Sequence, residues 1–329
     1  MRAGARGGGC LAWLIAAPLA ALAGSAAADV DLTSSVTVEA TLTDNDEFEP
    51  DGKSDALISV RPRISLRQVG GRSRTGLDYS INTQYSARDS DVELIHSLAG
   101  FNNMEYIKDF FFVDTSAAIS QEVIDNERGA PVRRGDRADN LSTVQRYSVS
   151  PYIINRLGSF ATSEVRARAS YVNSSSFVLD DATFYSLTGT LRSGLDFTSF
   201  LWTARAEYEK ENEDDGDRTT KNVRFDTVTV IDPTFSLLGG IGYEKIEDDS
   251  LANDIDGIIW DVGFDWRPGP KLSIVARYGD RFEEDNFFLN ANYRITPRTS
   301  LFARFEQTLT TEQALFLRDL QFIGIDEDG

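Results

Sequence analysis

Apolar and polar residues alternate one by one over long stretches of the chain that follows residue 28. Between residues 58 and 64, apolar Ile58, Val60 and Ile64 alternate with the charged side chains of Arg61 and Arg63. A period of two is typical of a β-strand with one apolar and one polar face. The pattern therefore predicts a single repeated hairpin unit and not several domains. The same alternation recurs in segments that begin at Val36, Leu77, Val165, Trp202, Trp260, Leu272, Phe287 and Leu301.

The connections between these segments alternate between short turns and longer polar links. Short turns are predicted at 70–71, 108–109, 158–159, 232–233, 268–270 and 296–297. Longer links, many of them acidic, are predicted at 44–54, 125–140, 173–181, 211–219, 247–256 and 280–285. This order holds only if 95–105 is also a strand, and the count then reaches about sixteen, an even number as in bacterial barrels. The last predicted strand covers 315–323, and both termini lie on the side of the short turns.

The length of the segments favours a membrane barrel over a soluble sandwich. A strand of about ten to twelve residues, tilted near 40°, rises roughly 25–30 Å, which matches the hydrocarbon layer of a membrane. A sandwich would bury its Arg and Glu side chains in the core, whereas a barrel turns them towards a wet lumen. Lipid offers no partner to an open sheet edge. We therefore predict an all-β, transmembrane, antiparallel up-and-down β-barrel.

Aromatic residues support this prediction because they concentrate near the two ends of the segments. Two such sets are typical of the girdles that a barrel places at the two membrane–water boundaries. The set near the longer links comprises Tyr85, Tyr171, Tyr185, Tyr208, Tyr243, Tyr278 and Phe287. The set near the short turns comprises Phe110, Phe160, Phe200, Phe235, Trp266 and Tyr293.

The amino terminus has the features of a secretory signal peptide. Arg2 and Arg6 precede an apolar run at 11–22, and small residues at 26–28 come before Asp29. The run is too short to span a bilayer as a helix, and Cys10 lies ahead of the run and not behind it. We predict a cleaved signal peptide at 1–28, one barrel domain at 29–329, and export to the bacterial outer membrane.

Charge and residue usage exclude several classes of function. Without the two arginines of the signal peptide, the chain has 31 basic and 52 acidic side chains, a net charge of −21. Such a charge argues against binding to nucleic acid and against docking on anionic lipid, since both would be repelled. The mature chain has no cysteine, which excludes disulfides, thiolate zinc sites and thiol catalysis. We expect no cofactor and no metal site, because no acidic link has the ligand spacing of a calcium loop.

Several short motifs carry a resemblance to a known family. They are TDN at 43–45, PRISL at 62–66, Gly71 and Arg72 followed by LDYS at 77–80, and FFFVD at 110–114. The chain resembles outer-membrane barrel proteins associated with the exosortase (PEP-CTERM) sorting system and exopolysaccharide loci of Gram-negative bacteria. The resemblance implies a porin-like envelope pore that serves polysaccharide or surface-protein export. It brings no catalytic residues.

The carboxyl terminus departs from the usual pattern of such barrels. Many of them end in an aromatic residue that the barrel-assembly machinery recognises, whereas this chain ends in IDEDG at 325–329. Two explanations stay open: the sequence is truncated, or its closing strand is atypical.

The polar face is the predicted functional surface. Charged residues on that face either set an ion preference, as rings of charge do in pores, or pair with one another and fill the interior. An arginine-lined lumen below acidic loops would favour anionic solutes or acidic glycans. The predicted pore-lining residues are Arg61, Arg63, Arg67, Arg166, Arg168, Arg205, Glu207, Asp261, Asp265, Arg277 and Arg304.

Three functions follow from these patterns, and the first is preferred. It is an outer-membrane pore, passive or associated with export. The second is a structural or surface-display barrel with a packed lumen and acidic loops that bind a partner. The third is an outer-membrane hydrolase, for which His96 is the only candidate base and no serine has a GxSxG motif. We therefore expect no enzymatic activity. Expected partners are outer-membrane lipid and lipopolysaccharide, the barrel-assembly machinery and exopolysaccharide export components.

Overall fold

In a computed structural model, the described residues are 29–43, 54–88, 90–123, 141–175, 181–213, 216–249, 254–282 and 284–306. The predicted signal peptide and the predicted last strand at 315–323 lie outside these residues. Most of the predicted links at 44–54 and 125–140 lie outside them as well. None of the described segments forms a helix that is long and apolar enough to cross a membrane.

The described residues form fifteen β-strands. Nearly all of them reach or exceed the roughly nine to eleven residues that a tilted strand needs to cross the hydrocarbon layer. The strands are β1 (Asp29–Thr43), β2 (Asp55–Val69), β3 (Ser73–Ser86), β4 (Asp91–Ile107), β5 (Phe111–Val123), β6 (Leu141–Leu157), β7 (Ala161–Ser174), β8 (Ala182–Ser193), β9 (Phe200–Glu213), β10 (Gly216–Asp232), β11 (Phe235–Asp248), β12 (Ile255–Gly269), β13 (Leu272–Arg281), β14 (Glu284–Thr296) and β15 (Thr299–Phe305).

The strands form one sheet in which every neighbour in space is a neighbour in sequence. All pairs are antiparallel, from β1 with β2 to β14 with β15. Short turns permit this order because an antiparallel pair needs only a few connecting residues. The predicted all-β, antiparallel up-and-down β-barrel is confirmed, with fifteen described strands where the sequence predicts about sixteen.

Four features of the strand boundaries test the sequence-based predictions directly. Strand β4 confirms that 95–105 is a strand. Strand β1 begins well before Val36, because Asp29 already pairs with Val69. The predicted long link at 211–219 is wrong, since Gly216 and Glu213 pair at the end of a nearly continuous hairpin. Acidic side chains above the membrane stay solvated, so they do not interrupt backbone pairing. For the same reason, the link at 280–285 shortens to a turn between β13 and β14.

Register divides the side chains of the sheet between an outer and an inner face. Phe225, Ile241 and Trp260 occupy one cross-strand row and are all exposed. We call their side of the sheet the outer face and the opposite side the inner face. The predicted girdle residues Tyr208, Tyr243 and Tyr278 lie on the outer face and are 42%, 46% and 49% exposed. An apolar surface of this extent is stable only against lipid, and the protein is therefore an outer-membrane β-barrel.

Candidate functional site on the inner face

The predicted pore-lining residues all fall on the inner face of the sheet. Arg63 pairs with Ser80, Arg166 with Thr188, and Arg277 with Phe288, all on the side opposite the apolar outer face. The remaining predicted residues follow from the same alternation on β2, β7, β9, β12 and β15. Their role in lining an open pore stays a prediction.

An ion-pair cluster on β10, β12 and β13 organises one part of this face. Asp261 accepts hydrogen bonds from Arg224 and from Arg277, the latter over 3.1 Å. Arg224 also donates from Nε to Asp226 over 2.8 Å. The Asp261 side chain is only 15% exposed, so its charge depends on these two guanidinium groups. The sequence singles out Asp261 and Arg277 but misses Arg224 and Asp226, although both continue the period of two along β10.

A second ion pair borders a small cavity beside this cluster. Arg281 donates from Nε and Nη2 to the two oxygens of Glu244 over 2.9 and 2.8 Å, a bidentate pair. The Glu244 side chain is buried. The cavity has a volume of about 230 Å³, and its lining includes Asn222, Arg224, Glu244, Asp261, Arg281 and Asn286. Its walls offer amide and guanidinium donors together with carboxylate acceptors, which suits a polar ligand of either charge.

A third cluster lies on β5, β6 and β7, nearer the short turns. Arg166 donates over 2.9 Å to both Asp114 and Glu164. Its guanidinium carbon lies 3.6 Å from the ring centre of Tyr152, which stacks on Phe112 at 4.9 Å. The guanidinium is therefore held by charge and by the ring face together. Of these residues, the alternation in the sequence places Glu164 and Arg166 on the polar face, and only Arg166 is predicted to line the pore.

The inner face is not uniformly polar. Near the longer links, the side chains of Val144, Val172, Ala182 and Phe184 form a buried apolar cluster on β6, β7 and β8. These residues fall on the same side as Arg146, whose Nη2 donates to Glu122 over 3.2 Å. The assignment of apolar residues to the lipid side therefore fails here, since strict alternation alone cannot distinguish lipid from a packed interior.

His96 lies on the outer face and not in the lumen. It pairs with Ile81 on β3, whose side chain points away from the polar face. The Tyr79 hydroxyl and His96 Nδ1 are 2.9 Å apart, and the two rings stack. This arrangement sets the only histidine beside a phenol. Among the described residues, no group of three or more His, Cys, Asp or Glu side chains is placed to hold a metal ion.

No protein-family model and no curated protein matches the sequence. Similar solved structures include an outer-membrane protein of Vibrio cholerae, OmpT, with loop L8 deleted. It is 12% identical, with 81% of this chain and 99% of that chain covered and a TM-score of 0.38. The trimer form of in-vitro folded OmpT has 12% identity, coverages of 87% and 96%, and a TM-score of 0.37. OmpT expressed in the outer membrane is 12% identical, with 82% of this chain and 89% of that chain covered and a TM-score of 0.35.

These matches correct one expectation from the sequence. We expected no enzymatic activity, and the similarity to OmpT proteins does not uphold that expectation, which we withdraw. At 12% identity the matches transfer neither a reaction nor a residue role to this chain.

Proposed function

We propose that the protein is an outer-membrane pore whose lumen favours anionic solutes. One observation carries the proposal: within the described strands, the arginines that the register places lie on the inner face. By register, the arginines of β2, β3, β6 to β10 and β13 to β15 all lie on that face. Guanidinium groups stay charged at any physiological pH, and rings of fixed charge set the ion preference of pores.

We further propose that the solutes are acidic glycans and that the pore takes part in their export. This proposal rests on the resemblance to barrels of exopolysaccharide and PEP-CTERM loci. Hydroxyl and amide side chains of the inner face support it, since Ser80, Ser148, Ser186 and Asn222 alternate with the arginines there. Such groups can replace the water around a sugar, while guanidinium groups pair with its carboxylates.

Conductance in a planar bilayer tests the pore. Under a KCl gradient, we expect stepwise openings and a reversal potential that shows anion preference. The triple variant Arg166→Gln, Arg168→Gln, Arg205→Gln removes three inner-face charges and should move the reversal potential towards cation preference. The matched control is Arg72→Gln, Lys271→Gln, Arg298→Gln, which removes three charges from the short turns. Absence of conductance, or strict cation preference of the unmodified protein, would contradict the proposal.

A second candidate is a structural or surface-display barrel with a packed lumen. The buried cluster of Val144, Val172, Ala182 and Phe184 on the inner face favours it, because apolar side chains in a wet pore would not be buried. The ion pairs around Asp261, in which opposite charges neutralise one another, are also compatible with a packed lumen. This candidate predicts no conductance, so the bilayer experiment separates it from the pore.

A further inference from the structure

The described strands separate their two kinds of cation by face. Arginines lie inside, whereas the lysines of these strands, Lys210, Lys221 and Lys245, all lie on the outer face. Lys221 pairs directly with Tyr208 on one side and Lys245 on the other. Lys210 follows Tyr208 by two residues on the same face. We call these three residues the lysine patch.

Carboxylates currently neutralise the lysine patch. Lys221 Nζ and Lys245 Nζ lie 2.9 and 2.8 Å from oxygens of the same Glu247 carboxylate. Lys245 Nζ also lies 2.9 Å from Asp254 Oδ2, and Lys210 Nζ lies 2.8 Å from Asp217 Oδ2. Like charges directly opposite each other on neighbouring strands repel, so an anion between Lys221 and Lys245 is required. Glu247 meets that need in the absence of a ligand.

The lysine patch remains accessible from the membrane side. The side chains of Lys210, Lys221 and Lys245 are 35%, 48% and 32% exposed. The patch lies level with Tyr208 and just beyond Tyr243, at the girdle near the longer links. Girdle tyrosines lie at the headgroup level. Cations at this place therefore face lipid headgroups and not hydrocarbon.

We propose that the lysine patch binds the phosphates of a phosphorylated glycolipid in the outer leaflet, with Glu247 as the group that the phosphate displaces. Lysine is a common point-charge partner of phosphate. A phosphate between Lys221 and Lys245 satisfies both ammonium groups as Glu247 does, and it carries more charge and more acceptor oxygens. This inference concerns the lipid-facing surface and is independent of whether the lumen conducts.

The test measures binding of bisphosphoryl lipid A to the full-length protein in detergent micelles with EDTA present. The variant Lys210→Gln, Lys221→Gln, Lys245→Gln should weaken binding at least about tenfold, since each lysine near anionic lipid contributes about 1 kcal/mol. The control Lys108→Gln, Lys271→Gln removes two lysines from the short turns and should leave the affinity unchanged. Monophosphoryl lipid A should bind more weakly to the unmodified protein and should be less sensitive to the triple variant.

The variant Glu247→Gln should change the affinity for lipid A in the opposite direction. If Glu247 competes with the phosphate, this variant binds lipid A more tightly than the unmodified protein. If the lysine patch is only a surface ion-pair network, Glu247→Gln leaves lipid affinity unchanged, and the proposal fails. Equal weakening by the triple variant and the control would also overturn it. Complete displacement of lipid A by millimolar inorganic phosphate would assign the site to a free anion and overturn the lipid assignment.

Discussion

Asp261 is the carboxylate that joins two arginines of the inner face. Its carboxylate accepts from Arg224 and Arg277, which come from strands on either side of β11 and β12. Arg63 and Asp78 make a comparable pair elsewhere, 2.5 Å apart, but their side chains are 58% and 33% exposed. Water screens that exposed pair, whereas removal of Asp261 takes from Arg224 and Arg277 the mostly buried carboxylate that they share and leaves them only Asp226.

We predict that Asp261→Asn and Asp78→Asn differ in stability although each removes one carboxylate charge. Asp261→Asn should lower the free energy of unfolding by about 1–3 kcal/mol, because two partly buried guanidinium groups lose one of their carboxylate partners. Asp78→Asn should lower it by less than about 1 kcal/mol. Urea unfolding in phospholipid vesicles, followed by tryptophan fluorescence, measures both. Equal losses would show that burial does not decide the strength of these pairs.

At the scale of elements, glycines on the inner face let β10 to β13 approach closely. A Cβ atom at Gly279 would clash with the backbone oxygen of Trp260, and one at Gly263 would clash with that of Ala276. A Cβ atom at Gly240 would meet the end of the Arg224 side chain, which can shift, so the constraint there is weaker. The concave face of a curved sheet has the least room for side chains, and glycine is a common means of bending a strand. These glycines lie in the same part of the sheet as the Asp261 cluster, where they allow the strands to pack closely.

Gly279→Ala should therefore destabilise the barrel by about 1–3 kcal/mol, the usual cost of overpacking. Gly189→Ala is the matched control, because nothing lies within 4 Å of a Cβ atom at Gly189. That change should be neutral or slightly stabilising, since alanine restricts the unfolded chain. The same urea titration measures both variants, and a neutral Gly279→Ala would contradict the close approach of β12 and β13.

At the scale of the whole molecule, the two ends of the barrel differ in their connections. Turns such as 158–160 are tight, and Gly158 adopts the left-handed conformation with φ of +61°. Connections at the other end include the long 124–140 segment between β5 and β6. Bacterial barrels have short periplasmic turns and longer extracellular loops. This orientation places the lysine patch in the outer leaflet, where the phosphorylated glycolipid would be.

Cysteine labelling tests the orientation, because Cys10 in the predicted signal peptide is the one cysteine of the sequence. Glu284→Cys and Arg298→Cys place a thiol near opposite ends of β14, and both positions are exposed. A membrane-impermeant maleimide should label Glu284→Cys in intact cells and Arg298→Cys only after lysis. The reverse result would invert the barrel and would move the lysine patch to the periplasmic leaflet.

Alternation along the chain is enough to predict the architecture and the polar face. Each step of two residues returns to the same side of a strand, so the inner position of Arg63, Arg166 and Arg277 follows from the sequence. The partners of these residues do not follow, because register between strands depends on the turns and on backbone pairing. Arg224 meets Asp261 and Arg166 meets Tyr152 only in the folded sheet.

The sequence by itself determined the strand-by-strand order, the two aromatic girdles and the side of each strand on which its charged residues lie. Those features are local, because they depend on the period of each segment and on the residues at its ends. Tertiary structure alone decided which cations share a carboxylate, that His96 meets Tyr79 on the lipid side, and that lysines from β9, β10 and β11 form one patch. Such contacts join residues on different strands, and their distances are set only when register fixes one strand against the next.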